Sequence, residues 1–135
     1  MADLKDKNGD LICWKDCETM RLALEPFGVT DTGPIENQNM YIINNDATIK
    51  KVNKVMANIH RRIKENKQTR YFVIYVLASH GMVNGGQQMI VLNEFNKASG
   101  FYKIFGIEAK IRLIASECPN SYQIALFACC REIMT

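Results

Sequence analysis

The chain has 135 residues, of which 47% are hydrophobic and 23% are charged, and its formal net charge is +3. This length suits one domain with one core, and the hydrophobic content excludes an intrinsically disordered chain. No apolar run reaches the roughly 18 residues that a membrane-spanning helix needs, and the N-terminal residues lack the apolar segment of a secretory signal. The sequence therefore predicts a single cytoplasmic domain over residues 1–135 that does not engage a membrane.

Cysteine usage agrees with a reducing compartment. The five cysteines are Cys13, Cys17, Cys118, Cys129 and Cys130. An odd number without the spacing of a disulfide framework predicts free thiols. Cys13 and Cys17 lack a second ligand pair for zinc, and Asp6–Asp10 departs from a calcium loop because Leu11 stands where that loop needs glycine. We expect no bound metal and no cofactor.

The first half of the chain predicts two helices with a short strand between them. Apolar residues on one stripe predict a helix over Asp16–Leu24, followed by a proline and a glycine that stop it. Met40–Ile43 reads as a strand, and Asn44–Asp46 offers an N-cap for a second helix over Ala47–Glu65. The apolar residues that recur in this second helix at steps of three and four are Ile49, Val52, Met56, Ile59 and Ile63.

Positive charge is concentrated in residues 50–70, which hold eight lysines and arginines and one glutamate, a balance of +7. A basic patch can bind nucleic acid, but no aromatic residues are interleaved in the basic helix for base stacking. An amphipathic helix needs a polar side in any case. We interpret the charges as a solvated helix face and expect no nucleic-acid partner.

The second half begins with the apolar run Tyr71–Ala78, which does not alternate and so predicts a strand buried on both faces. A hairpin over Met82–Leu92 should turn at Asn84–Gly86. A third helix, marked by isoleucines at steps of three and four, ends at Pro119, and Tyr122–Ala128 is the next strand. This alternation indicates an α/β fold with a doubly wound sheet, whose sites lie outside the carboxyl ends of its strands.

Two of the predicted strands end on reactive side chains. Ser79–Gly81 follows the first strand, and Ala128–Arg131 closes the second. A thiolate is a nucleophile, and a neighbouring imidazole can take up the thiol proton, so His80 and Cys130 are a candidate catalytic pair. The alternative interpretation is that a cysteine at the end of a buried strand is a small core residue, and we favour it for Cys129.

These motifs resemble those of the caspase and metacaspase superfamily of cysteine peptidases. The order of elements is similar from about Asn8 onward, and Ser79–Gly81 matches the histidine motif of the family. The caspase cysteine signature has its histidine about 50 residues upstream, and here His80 precedes Cys130 by 50 positions. The resemblance implies a caspase-like, flavodoxin-like three-layer α/β sandwich with a mostly parallel sheet, of which this chain is similar to the large subunit.

The resemblance also implies roles for individual residues. Cys130 would attack the carbonyl carbon of a peptide or protein substrate, and His80 would transfer the proton. The backbone N–H groups of Gly81 and Cys130 would stabilise the oxyanion. Ser79 and Ala128 would line the substrate pocket. The implied activity is that of a cysteine endopeptidase with a Cys-His dyad.

Several features depart from the family pattern. Ala128 stands where caspases have glutamine and metacaspases have aspartate, so no preference for acidic or basic substrates carries over. Glu132 replaces a small residue, and its carboxylate would disfavour the nearby thiolate. The sheet would be incomplete at both ends, so we expect a completing protein partner or further chain segments. The alternative function is a catalytically inactive caspase-like module that acts as a structural or interaction subunit of a larger complex.

Overall fold

A computed structural model describes residues 14–30, 40, 47–128 and 132–133. The fold is mixed α/β, with a parallel pair of strands, β1 and β5, and a second sheet in the order β4-β3-β2-β6. The elements are α1 Trp14–Leu24, a 3-10 turn Glu25–Phe27, α2 Ile49–Glu65, β1 Tyr71–Ala78, β2 Gly81–Asn84, β3 Gln87–Asn96, β4 Phe101–Phe105, α3 Ile107–Glu117, β5 Ser121–Ala128 and β6 Glu132–Ile133. Within these ranges, no helix combines the length and the apolar character that crossing a membrane would require.

Helix α2 begins at a threonine cap. The Oγ1 of Thr48 accepts a hydrogen bond from the Lys51 N–H at 3.1 Å, which satisfies one of the free donors in the first turn. The Glu94 carboxylate accepts a second, from the Ile49 N–H at 2.7 Å. The predicted cap at Asn44–Asp46 is therefore wrong. Of the strand predicted at residues 40–43, only Met40 belongs to the described residues, and it has no regular structure.

The core lies between one face of the β1–β5 pair and the two helices α2 and α3, with side chains of β3 and β4 closing it. Its buried residues are Val52, Met56, Ile63, Tyr75, Ile90, Leu92, Phe105, Ile107, Ile111, Ile114 and Cys118. The helical members recur at steps of three and four, so one stripe of each helix faces the sheet. This confirms the amphipathic interpretation of α2 and explains why its basic residues lie on the outer side.

Strand β1 is buried on one face only, so the predicted burial of both faces is wrong for the described residues. Tyr75 is buried, whereas its neighbours on the opposite face, such as Phe72 and Ile74, are exposed. The reason is that α2 and α3 both pack on the same face. Helix α1 contacts β1 beside Val76, whose carbonyl oxygen lies 3.8 Å from the Cys17 Sγ.

The predicted hairpin is confirmed. Gly85 and Gly86 both have positive φ, at 57° and 77°, which is the backbone that a two-residue turn between antiparallel strands requires. Strand β4 is absent from the predicted elements, although its aromatic residues are typical of strands. It pairs antiparallel with β3, so the sheet β4-β3-β2-β6 is mostly antiparallel. Among the described strands, β1–β5 and β2–β6 are the parallel pairs, so the expected mostly parallel sheet is not what these residues form.

The Asn120 side chain holds the end of α2 against the start of β1. Its Nδ2 lies within hydrogen-bond distance of the backbone carbonyl oxygens of Ile63, Asn66 and Thr69, at 3.1, 3.2 and 2.9 Å. The backbone carbonyl of Asn120 accepts a hydrogen bond from the Tyr71 N–H at 2.8 Å. We expect Asn120→Ala to lower the free energy of unfolding by about 0.5–1.5 kcal/mol, because it removes these side-chain hydrogen bonds while the Ile63 and Asn66 carbonyls keep backbone donors. Urea denaturation measures this change.

A matched control for this substitution lies on α3. The Ser116 hydroxyl is exposed and donates only to the Leu113 carbonyl of its own helix, at 2.8 Å. Ser116→Ala should therefore change the unfolding free energy by less than about 0.5 kcal/mol. Equal effects of the two substitutions would show that Asn120 does not connect α2 to β1 energetically.

Candidate active site

Strands β1 and β5 are adjacent, parallel and paired with a constant offset. Their partners run from Tyr71 opposite Ser121 to Ala78 opposite Ala128, so each residue of β1 faces the residue 50 positions later. The carboxyl ends of both strands therefore lie side by side at the same edge of the sheet. This is the edge at which α/β proteins place their sites.

The next pair of strands has the same offset of 50 residues. Strand β2 pairs parallel with β6, and Met82 lies opposite Glu132 while Val83 lies opposite Ile133. The two parts of the chain are thus held next to each other both before and after positions 80 and 130. Cys130, together with Cys129 and Arg131, lies outside the described residues.

His80 is held by its backbone between the two sheets. Its carbonyl oxygen accepts from the Val91 N–H at 2.8 Å and from the Ser79 hydroxyl at 2.9 Å, and its side chain is half-buried. Gly81 follows as the first residue of β2, is buried, and pairs with Ile90. His80 therefore lies in the short link between β1 of one sheet and β2 of the other.

Ser79 and Ala128 are the two residues expected to line a substrate pocket. Ser79 is half-buried, and its hydroxyl is already engaged with the backbone next to it. Ala128 ends β5 opposite Ala78. The backbone of Ala128 thus stands beside the strand that leads to His80, at the same edge of the sheet.

Two of the cysteines fall in the described part of the chain. Cys118 is buried at the end of α3, and burial raises the pKa of its thiol. Cys17 is half-buried on α1. Cys118 belongs to the buried core, where it acts as a small apolar residue. Among the described side chains, no group of three histidines, cysteines or carboxylates is arranged to hold a metal ion.

His60 has a contact that the sequence did not indicate. Its Nε2 lies 2.7 Å from the Glu117 Oε2, and the Lys64 Nζ lies 3.4 Å from the same oxygen. These contacts join the outer sides of α2 and α3, so His60 serves helix packing. The partner lies on another helix and 57 positions later in the chain, which is why helical spacing alone could not find it.

Comparison with known proteins finds no match, so the interpretation of this site uses its geometry. No protein-family model, no curated protein and no solved structure matches this chain. The observations that bear on function are therefore the two motifs and the register that relates them. An imidazole and a thiol are the groups that nucleophilic catalysis by cysteine requires, and His80 and Cys130 would supply them.

Proposed function

We propose that this protein is a caspase-like cysteine endopeptidase domain in which Cys130 is the nucleophile and His80 transfers protons. The observation that carries the proposal is the offset of 50 between paired residues on both sides of the site. The same number separates His80 from Cys130.

The distances between strands support this pairing. Ala78 and Ala128 face each other at one end, and Met82 and Glu132 face each other at the other. Paired strands lie about 4.8 Å apart, and only three residues separate the paired positions on each segment. Short segments between fixed ends stay close together, so the imidazole and the thiol would be within reach of a hydrogen bond.

The proposed reaction uses the groups of the chain and water. The Cys130 thiolate attacks the substrate carbonyl carbon, and the backbone N–H groups of Gly81 and Cys130 stabilise the oxyanion. The C–N bond breaks as His80 gives a proton to the leaving amine, which leaves a thioester. A water molecule, deprotonated by His80, then attacks the thioester and releases the carboxylic acid and the free thiol.

The finer fold assignment belongs to the same proposal. A caspase-like three-layer sandwich would add strands beside β1 and β5, supplied by a partner protein or by further chain segments. Its substrate would be a peptide or a protein, and Ser79 and Ala128 would border the substrate pocket. We place the protein in the cytoplasm, because a catalytic cysteine has to stay reduced.

A second candidate function is a catalytically inactive module of the same fold. Ala128 lacks the polar side chain that the family uses to select its substrate. Glu132 pairs with Met82. It stands two positions after Cys130 in the sequence and carries a carboxylate. Such a module would serve as a structural or interaction subunit.

Labelling with a thiol-directed peptide electrophile distinguishes the two candidates. We expect Cys130 to react first and to completion in the native protein, with the modified residue identified by mass spectrometry. Cys17 and Cys118 serve as internal controls, because one is half-buried and the other buried. Slow labelling without preference among the five cysteines would favour the inactive module.

A further inference from the structure

A fully buried glutamine lies in the hairpin that follows His80. Gln88 is the second residue of β3, and its exposed fraction is 0%. Its Nε2 donates to the backbone carbonyl oxygens of Met82 and Met89, at 3.3 and 3.0 Å. A buried amide is costly unless it is hydrogen-bonded, so these contacts fix the position of the Gln88 side chain. The side chain thereby connects β3 to β2 at the residue that follows Gly81.

The backbone of Gln88 is held from a different element. Its N–H donates to the carboxylate of Glu108, which lies in the first turn of α3. Strand β4 pairs with β3 further along and ends at Phe105, so here a side chain takes the place of a strand partner. The Arg112 guanidinium lies 3.1 Å from the same carboxylate. Gln88 is therefore held by α3 while its own side chain holds β2.

The backbone N–H of Gly81 points away from β3. Residues that face each other in an antiparallel pair alternate between those that exchange hydrogen bonds and those that do not. The His80 carbonyl accepts from the Val91 N–H, so the next pair, Gly81 with Ile90, is of the second kind. The N–H of Gly81 thus faces the side of β2 on which β6 pairs. Strand β6 begins two residues after the proposed nucleophile, so this is the side on which the oxyanion would form.

We propose that Gln88 is a positioning residue that keeps the Gly81 N–H aligned for oxyanion stabilisation, an inference that rests on the proposed peptidase function. Glycine has the greatest backbone freedom of any residue, so its neighbours have to fix its orientation. Gln88 does this by holding Met82, the next residue along β2. Alignment before the charge develops is what makes such a donor effective, and a displacement of about 1 Å can lower the rate by about 10²-fold.

Two small thiol reagents separate this role from a structural one. With para-nitrophenyl acetate, the Cys130 sulfur attacks the carbonyl carbon, an oxyanion forms, and loss of nitrophenolate leaves S-acetylcysteine. With iodoacetamide, the sulfur displaces iodide from a methylene carbon and no oxyanion forms. Gln88→Met keeps the length of the side chain and removes its donor. We expect it to slow acetylation of Cys130 by about 10–100-fold and to leave alkylation within about twofold, with both products located by mass spectrometry.

The matched control is Gln87→Met, which makes the same chemical change one residue earlier, beside the turn and on the other face of β3. It should leave both rates within about twofold of the original. The buried Cys118 reports on folding, because it should stay slow to react in every variant that keeps its core. If Gln88→Met exposes Cys118, Glu108→Ala replaces it, since Glu108 is 22% exposed and holds the same residue from outside. We expect that variant to slow acetylation alone, by about fivefold or more.

The outcomes distinguish this inference from the proposed function. Equal slowing of both reactions in Gln88→Met, with Cys118 still protected, would overturn the positioning role, because alkylation needs no oxyanion donor. An unchanged acetylation rate would overturn it as well. If Cys130 of the unaltered protein reacts with neither reagent faster than Cys17 does, the peptidase function itself fails, and the role of Gln88 fails with it.

Discussion

Replacing His80 with alanine is expected to lower the rate at which Cys130 reacts with a peptide electrophile by about 10²–10⁴-fold at neutral pH. The variant lacks the imidazole that we propose takes up the thiol proton, so the reactive thiolate becomes scarce. Single-turnover labelling of the native protein and of the variant measures the two rates. The backbone carbonyl of His80 accepts hydrogen bonds from Val91 and Ser79 without using the side chain, so the link between β1 and β2 should keep its conformation.

His60→Ala is the matched control, since the protein has two histidines and His60 contacts Glu117 away from the sheet edge. It should leave the labelling rate of Cys130 within about twofold of the original. Raising the pH above about 8.5, the ordinary pKa of a cysteine thiol, should restore most of the rate in His80→Ala by forming the thiolate directly. A variant that stays slow at alkaline pH would assign His80 a structural role.

Tyr75 is expected to make the fold sensitive to alkaline pH. Burial raises the pKa of its phenol well above the usual value of 10, and the neighbouring Cys118 thiol acts in the same direction. The folded chain therefore holds this proton more tightly than the unfolded chain does. The resulting stability is complete below about pH 10 and is lost as the pH rises from there towards the folded pKa, by up to about 1.4 kcal/mol per pH unit.

Tyr75→Phe separates this effect from other alkaline titrations. At neutral pH the variant should lose about 1 kcal/mol, because the Tyr75 hydroxyl donates a 2.6 Å hydrogen bond to the Gln123 Oε1. Between about pH 9 and about pH 11, however, it should lose less stability than the original protein, as urea denaturation at each pH will show. Cys118, whose pKa is also raised by burial, accounts for part of the slope that remains. An identical slope in both proteins would exclude Tyr75 as its source.

Local signals in the sequence were enough to predict most of the regular elements. The spacing of apolar residues predicted α2 through to its end at Glu65, and the apolar run Tyr71–Ala78 coincides with β1. Gly85 and Gly86 predicted the hairpin, because few other residues adopt positive φ at both turn positions. Each of these signals lies within one segment of chain, where periodicity and turn chemistry act directly.

The sequence predicted part of the candidate site. The motifs named His80 and Cys130, and the interval between them equals the register offset of β1 and β5. The sequence could not reveal that register, because strand pairing depends on which segments meet in space. The proximity of the two side chains stays a prediction, since Cys130 lies outside the described residues.

Most of the described helices and strands follow from the amino-acid sequence alone, because backbone preference and apolar periodicity are local properties; β4 is an exception. The packing of α2 and α3 on one face of β1, which leaves Phe72 exposed on the other, becomes visible in the folded chain alone. The tertiary structure also decided that Asn120 bonds the end of α2 and that His60 meets Glu117. The physical reason is that these contacts join residues about 50 or more positions apart, and their energies depend on the packing of whole elements.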